Sequence, residues 1–591
     1  MAHFAGLGLS ATLLPGVLWG RMQQTGAQRV TADMITDALT ISGLDFTEEE
    51  RTAMANNVNT ALARYEKLHS FHIPNDISPP FHFNPIVPGM KVNRTQQPFR
   101  ISDAPAVKRP ANLEDVAFWP VRHLAVLIKT RQVTSLELTT MYLERLKKYN
   151  PVLNCVVSFT DDLAIAQAKK ADAEIASGNN KGPLHGIPWG CKDIIAAKGY
   201  KTTWGSGAYK DQVLDYDATV VELLREAGAV LIAKLTTGEL AGGANWFGGR
   251  TNNPWNPAQS SGGSSAGPGS ATGGGCVGFS IGTETSGSIL GPSSNCGVTG
   301  LRPTLGRISR YGVMALSWTQ DRLGPMCRYA EDCALVMQAI AKPDDRDMSV
   351  QDIPFNWNAR MDITRLRVGY LKKSFDATTN AVNKANDQKT LDQLSALGLK
   401  PVPIDIPDFP VYVTAHDVEM AVFFDELVRS GRVKLMTGQT RGNSFRASRL
   451  VPAVEYLQSQ RARMMMMMQL AKATEGVDVF LMPRGAGGGG GRGGGAEEDV
   501  AAGGGRGGRG GGAGGGAPEN QPPQPVNAST QCNLATYPAL AVPNGFTPEG
   551  TPTSITFFSR PFGETELLAV AKAYQDASGH HLKHPTIKTP A

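Results

Sequence analysis

Ser264 sits in the turn Gly262-Gly263-Ser264-Ser265-Ala266-Gly267, and Ser288 ends the run Gly282-Thr283-Glu284-Thr285-Ser286-Gly287-Ser288. The two serines are 24 residues apart, and Lys192 stands 72 residues before the first of them. Two hydroxyls and an amine are the parts needed for acyl transfer by a serine nucleophile. A serine hydroxyl is a weak nucleophile, so a base must take its proton and donors must meet the charge that develops on the carbonyl oxygen. Histidine commonly supplies the base, yet the flanking histidines are His185 and His416, outside both turns. A lysine can replace it where burial lowers the pKa enough to populate the neutral amine. Lys192 follows the apolar stretch Ile187 to Cys191, which predicts delivery into the core, although most lysines lie at the surface.

Ser264 is then placed to relay a proton between Lys192 and Ser288, although composition alone also describes its turn as a flexible Gly/Ser loop. Gly263 to Gly267 further matches the G-x-S-x-G nucleophile elbow. That motif must follow a buried strand, and Asn252 to Ser260, with Pro254 and Pro257, cannot supply one. Ser288 is better served. Val277 to Ile281 reads as a buried strand, and Thr285, Ser286, Gly287 and Ser288 could present successive N–H groups as an anion nest. Thr283 and Ser265 are candidate supporting residues.

The elements that must position these groups follow from periodicity. Leu113 to Tyr149 has helical apolar spacing, with a capping box at Thr134 and Glu137. Asp161 to Ser177 predicts another helix. Strand-like Ile187 to Trp189, a helix near Ala218 to Ala227 and strand-like Ala229 to Ala233 alternate, which argues for an α/β sheet covered by helices on both faces. Leu366 to Leu371 and Pro401 to Ile406 are further strand candidates, with a helix from about Asn380 to Leu397 between them. His416 to Lys472 reads as a long helical stretch in which Met464 to Met468 would serve as adaptable packing.

Composition narrows the function classes. The chain has 591 residues, 41% hydrophobic and 19% charged, and a net charge of +5. That small excess gives no warrant for a nucleic-acid or anionic membrane surface. Seven scattered cysteines, none spaced as CxxC, read as mostly buried free thiols, Cys191 included. Residues 1–27 look like an export signal lacking a basic start, which predicts an exported, periplasmic protein, with cytoplasmic residence as the other reading. Residues 28–109 predict a helical arm, with a capping box at Thr47 and Glu50, and then a Pro-rich linker. The glycine-rich tract at 484–526 reads as a flexible insertion. Its arginines invite an RNA-binding idea, but they have almost no aromatics beside them.

The motifs together resemble the amidase signature family. The matching residues are Gly182-Pro183-Leu184-His185-Gly186-Ile187-Pro188 leading to Lys192, the Gly-Gly-Ser-Ser-Ala-Gly turn, Gly-Thr-Glu-Thr-Ser-Gly-Ser-Ile, Gly297 to Thr304, and Arg560 to Glu564. The resemblance covers residues 110–591 apart from the insertion. It implies a single large α/β domain with a mixed central β-sheet covered by helices on both faces, preceded by the helical arm. It implies a Ser-cisSer-Lys triad of Ser288, Ser264 and Lys192, hydrolysis of a small-molecule amide through an acyl-enzyme, and no metal or organic cofactor. The expected partners are that amide and at most a second copy, as monomer or homodimer, with no nucleic acid and no integral membrane span. The alternative is the glutaminase subunit of a tRNA-dependent amidotransferase. Leu290 argues against it, because amidotransferase subunits resemble Ser-Ile-Arg where this chain has Ser288-Ile289-Leu290. A third reading is a non-enzymatic relic whose insertion binds nucleic acid. The resemblance leaves the substrate open, with acyl-pocket walls expected from 311–326 and 416–470.

Overall fold

The computed structural model describes residues 30–42, 48, 51–52, 83–410, 415–448, 451, 453–484 and 526–588. The signal-like segment, the capping box at Thr47 and Glu50, and residues 485–525 of the insertion lie outside the described residues.

The strands are β1 (Val156–Phe159), β2 (Pro188–Lys192), β3 (Val230–Leu235), β4 (Asn245–Trp246), β5 (Gly249–Arg250), β6 (Phe279–Glu284), β7 (Thr299–Arg302), β8 (Arg322–Cys327), β9 (Val368–Leu371), β10 (Val402–Ile404), β11 (Val479–Pro483), β12 (Ala539–Phe546) and β13 (Pro552–Ser559). All but the β4–β5 hairpin join one sheet of 11 strands in the order β1-β3-β2-β6-β8-β7-β12-β13-β11-β9-β10. The sheet is mixed: β2 runs parallel to both β3 and β6, whereas β6 and β8 are antiparallel. Helices flank it, and the chain folds as the α/β architecture that the alternating pattern predicts.

The parallel centre explains the apolar runs in the sequence. Every residue of β2, β3 and β6 is buried, as strands covered on both faces must be. Trp189 of β2 stacks on Phe279 of β6 with ring centroids 6.0 Å apart. Because β2 and β6 are parallel neighbours, their C-terminal ends open on the same edge of the sheet, where side chains from both can meet.

Several elements match the sequence reading and others correct it. Helix Ser135–Leu153 carries the capping box: the Glu137 N–H donates to Thr134 Oγ1 at 3.1 Å, and the Thr134 N–H donates to Glu137 Oε2 at 2.8 Å. The stretch 416–472 is not one helix. It breaks into Ala415–Phe423, Asp425–Arg429, Gln439–Ser448 and Ala453–Ala473, with Gly431 left-handed at φ +72° at one of the breaks. In the methionine run, Met466 and Met467 pack inside while Met464, Met465 and Met468 stay exposed. The strand expected at Val277 to Ile281 instead begins at Phe279 and runs on to Glu284, which makes Thr283 and Glu284 strand residues. All seven cysteines are buried free thiols, and burial pushes Cys191 up to about 12. Among the described residues, no helix is long and apolar enough to cross a membrane.

Candidate active site

Lys192 is the last residue of β2, and its side chain is fully buried. The Nζ lies 2.9 Å from Ser264 Oγ, 2.8 Å from Thr283 Oγ1 and 3.4 Å from the Thr283 carbonyl. Burial lowers its pKa to about 7; the charges of Asp321 and Glu284 pull it back up, and that of Arg441 pushes it further down. A neutral amine fits these contacts. Its two N–H bonds can donate to Thr283, leaving the lone pair to accept from the Ser264 hydroxyl.

Ser264 is held by a turn with no room for a larger residue before it. A Cβ on Gly263 would fall 1.8 Å from the Gly243 carbonyl oxygen. The Gly263–Ser264 peptide is cis, and the Ser264 carbonyl accepts from the Gly238 N–H at 3.3 Å. The chain then enters helix Ala266–Gly273, every residue of which is buried. No strand precedes the turn between Thr251 and Ser265, so the elbow reading fails in the structure as well.

Ser265 makes no hydrogen bond to Lys192 among the described residues and locks the turn to β6. Its Oγ donates to the Thr283 carbonyl at 3.0 Å and accepts from the Thr283 N–H at 3.1 Å. Its own N–H donates to the Ser288 carbonyl at 3.0 Å, tying one serine turn to the other. Lys192, Ser264, Thr283 and Ser265 are therefore brought together directly, and Ser288 joins them through the backbone. Among the described residues, no hydrogen bond of the Ser288 hydroxyl is formed in this conformation. Catalytic hydrogen bonds are often long before substrate arrives.

The 285–288 loop is fixed from behind. The Thr285 carbonyl accepts from Asn533 Nδ2 at 2.8 Å and from an Arg322 guanidinium N–H at 3.0 Å. In a trans peptide the N–H points opposite to the C=O, so the Ser286 N–H is aimed away from Arg322 and Asn533. Likewise the Gly287 carbonyl accepts from the Gly291 N–H at 2.8 Å, which turns the Ser288 N–H outward. Gly287 itself has φ +81°, a conformation glycine adopts without steric cost. Among the described residues, the N–H groups of Thr285 to Ser288 donate to no protein acceptor, whereas those of Ile289 and Leu290 are taken by Glu284 Oε2 at 2.8 and 2.9 Å.

Glu284, Arg302, Arg322, Asp321 and Asn533 form the scaffold that sequence reasoning left without a role. Buried Glu284 pairs with buried Arg302 at 2.8 Å. Burial alone would raise its pKa, but Arg302, Arg322 and the Leu290 N–H outweigh that and hold it below the usual range. Asp321 accepts from Thr285 Oγ1 at 2.5 Å and from the N–H groups of Leu316 and Ser317, while burial pushes its carboxyl up. Glu284 and Arg302 lie inside the quoted Gly-Thr-Glu-Thr and Gly-Leu-Arg-Pro motifs, so a signal for them existed; Asp321 and Asn533 carried none. Removing Glu284 would strand a buried guanidinium and unpin the loop. Glu284→Ala is expected to cost about 3–5 kcal/mol in urea unfolding, with Glu284→Gln intermediate.

Beside Thr283 and Thr285 opens a cavity with about 50 Å³ of room, walled by Tyr311, Met314, Leu316 and Trp318 among others. Residues of the expected wall at 311–326 line this cavity, whereas Lys192, Ser264 and Ser288 do not. The other expected wall, 416–470, contributes none of its described lining residues.

The family model described as Amidase matches residues 137–487. The chain is 32% identical over 494 residues to a glutamyl-tRNA(Gln) amidotransferase subunit from Methylococcus capsulatus, covering 78% of this chain and 97% of that one. It is 33% identical over 500 residues to AmiD of Mycobacterium tuberculosis, whose name assigns it provisionally to the amidases, covering 82% of this chain and all of that one. Its fold superposes on the native peptide amidase of Stenotrophomonas maltophilia with a TM-score of 0.67 at 25% identity, over 80% of this chain and 100% of that one.

Proposed function

The chain belongs to the amidase family, and on that premise we propose that it hydrolyses a carboxylic amide to an acid and ammonia or an amine through an acyl-enzyme on Ser288. The observation that carries the reading is the 2.9 Å contact between the buried Lys192 amine and the Ser264 hydroxyl. Neutral Lys192 draws the proton from Ser264, and Ser264 draws the proton from Ser288 as the Ser288 oxygen attacks the carbonyl. The second link forms when substrate settles. Negative charge builds on the carbonyl oxygen, and the open N–H groups between Thr285 and Ser288 receive it, each donor contributing roughly 100-fold or more to the rate. Ser264 returns a proton to the departing nitrogen, and water then cleaves the acyl ester by the same relay in reverse.

The relative from Methylococcus favours a second reading, a glutaminase subunit working with partner chains. Leu290 and the export-like segment 1–27 weigh against it. Hydrolysis of simple amides by the isolated chain, indifferent to tRNA, separates the two.

A fluorophosphonate probe followed by peptide mass mapping tests the nucleophile. The label is expected on Ser288 and is lost in Ser288→Ala; a label on Ser265, or one that survives Ser288→Ala, overturns the assignment.

A further inference from the structure

Arg463 is a buried cation behind the 285–288 loop that the chemistry proposed above leaves without a part. It lies on helix Ala453–Ala473 and is 1% exposed. Its guanidinium donates to the Thr319 carbonyl at 2.9 Å and to Thr319 Oγ1 at 2.7 Å. It also donates twice to the Leu534 carbonyl, at 2.6 and 2.9 Å. Each acceptor adjoins a support of the loop. Asp321, two residues past Thr319, accepts from Thr285 Oγ1, and Asn533, beside Leu534, donates to the Thr285 carbonyl. Arg463 therefore closes a ring that runs from Thr285 through Asp321 and Thr319 to the guanidinium, and back through Leu534 and Asn533.

Two further groups hold the guanidinium. Glu419 accepts from Thr319 Oγ1 at 2.7 Å, from the Thr319 N–H at 3.0 Å and from Ser317 Oγ at 2.6 Å. Its charge favours the Arg463 cation, against the burial that lowers the arginine pKa to about 10. The Phe83 ring lies with its centroid 4.0 Å from Arg463 Cζ. An aromatic face steadies a buried cation without taking any of its N–H donors, so the planar fork stays committed to Thr319 and Leu534. Phe83 begins the stretch 83–103, which the sequence presents as a surface linker. The stretch is firmly seated. Val87 is buried in the cluster that holds Met466, Met467 and Leu470 of the same helix, and Leu290 packs against that cluster. Further on, the Gln97 N–H donates to Asn356 Oδ1 at 2.8 Å and the Arg100 N–H to the Trp357 carbonyl at 2.9 Å.

We propose that Arg463 is a positioning residue for the oxyanion donors and that Phe83 holds it in register, so that the stretch 83–103 serves the chemistry from outside the cavity. The inference rests on the Ser288 acyl-enzyme proposed above and adds what aims its N–H groups. The Ser286 N–H belongs to the peptide whose carbonyl Asn533 grips, so a shift of Asp321 or Asn533 tilts that donor. Donors of this kind meet charge that exists only in the transition state, and losing their aim lowers the rate while leaving ground-state binding alone.

The test is inactivation of the full chain by a fluorophosphonate, read as the maximal rate kinact and the half-saturating concentration KI. Ser288 Oγ bonds to phosphorus, fluoride leaves with its electron pair, and the Ser288 proton passes through Ser264 to Lys192. The charge on the phosphoryl oxygen then falls to the same N–H donors. Arg463→Gln is expected to lower kinact about 100-fold with KI held within about twofold, and Arg463→Lys to recover part of the rate. Phe83→Ala is expected to lower kinact about tenfold and Phe83→Tyr, which keeps the ring face, to restore it. Because the ring acts through the guanidinium, the Phe83→Ala/Arg463→Gln double variant should be no slower than Arg463→Gln alone. The final label should still reach one per chain, which a loss of folded protein would not allow. An unchanged kinact in either single variant, additive losses, or an effect confined to KI overturns the proposal. Phe83→Ala and Phe83→Tyr decide it by themselves should Arg463→Gln fail to fold. A wild-type label on a residue other than Ser288 would instead sink the nucleophile, so the two failures are distinguishable.

Discussion

Ser288→Ala is expected to lower kcat by roughly a millionfold, to the level left by binding and the oxyanion donors alone. The size follows from the covalent route. Without that oxygen no acyl-enzyme forms, and water, with only the Lys192–Ser264 pair to activate it, would have to attack the poorly electrophilic amide directly. Ser264→Ala breaks the chain one link earlier, separating the Lys192 amine from Ser288, and its loss should fall in the same range. Residues that act as one unit are not additive, so the Ser264→Ala/Ser288→Ala double variant should be no slower than the worse single one. Rapid-quench bursts and intact-protein mass measure this: an acyl adduct on the wild type with a slow substrate, and none on Ser288→Ala. A Ser288→Ala enzyme within a hundredfold of wild type would remove Ser288 from the chemistry. The Ser264 hydroxyl meets the Lys192 amine at 2.9 Å, and the Ser288 hydroxyl is left without a hydrogen bond among the described residues. Ser265, which looks equivalent in the sequence, is the residue that spends its hydroxyl on Thr283.

How much of this was legible in the chain depended on whether a local pattern carried the element. β2 and β3 announced themselves as short apolar runs because both faces are covered. Helix Ala266–Gly273 was invisible. Its sequence Ala-Gly-Pro-Gly-Ser-Ala-Thr-Gly opposes helix formation on propensity, and what favours it is close packing. A Cβ on Gly267 would stand 2.3 Å from the Thr236 nitrogen and one on Gly269 2.9 Å from Pro292. β8 was hidden by Pro325 and β12 by Pro543, since proline inside a strand argues against a central position. In β12 the pairing register shifts between Pro543 and Gly545. The proposed reacting residues stand in recognisable motifs, but the groups that hold them come from distant segments. Asn533 reaches Thr285 across 248 positions, and no spacing rule links them.

The pH profile should carry the signature of the lysine. The base works only as the free amine, and burial sets its pKa at about 7 against an ordinary 10.5. Activity at saturating substrate should therefore fall tenfold per pH unit below about 7 and level off above it. Lys192→Ala is expected to lower kcat by about 10³–10⁴-fold and to remove that acid limb. Stability gives an independent check, with its sign fixed by proton counts. Between about pH 7 and 10.5 the unfolded chain keeps a proton on Lys192 that the folded chain has released, so stability rises with pH across this window. Below it both states hold the proton, and the cost of burying the charged amine is felt in full. Lys192→Met fills similar space without a charge, and should be more stable than wild type at pH 6–7 while nearly inactive. Urea unfolding of both proteins across pH 6–10 tests this, and the gap should narrow as pH rises. A variant less stable than wild type at pH 6, or an activity profile flat from pH 5 to 8, would mean that turnover does not wait on deprotonation of a buried amine with a pKa near 7. It could not then serve as the base.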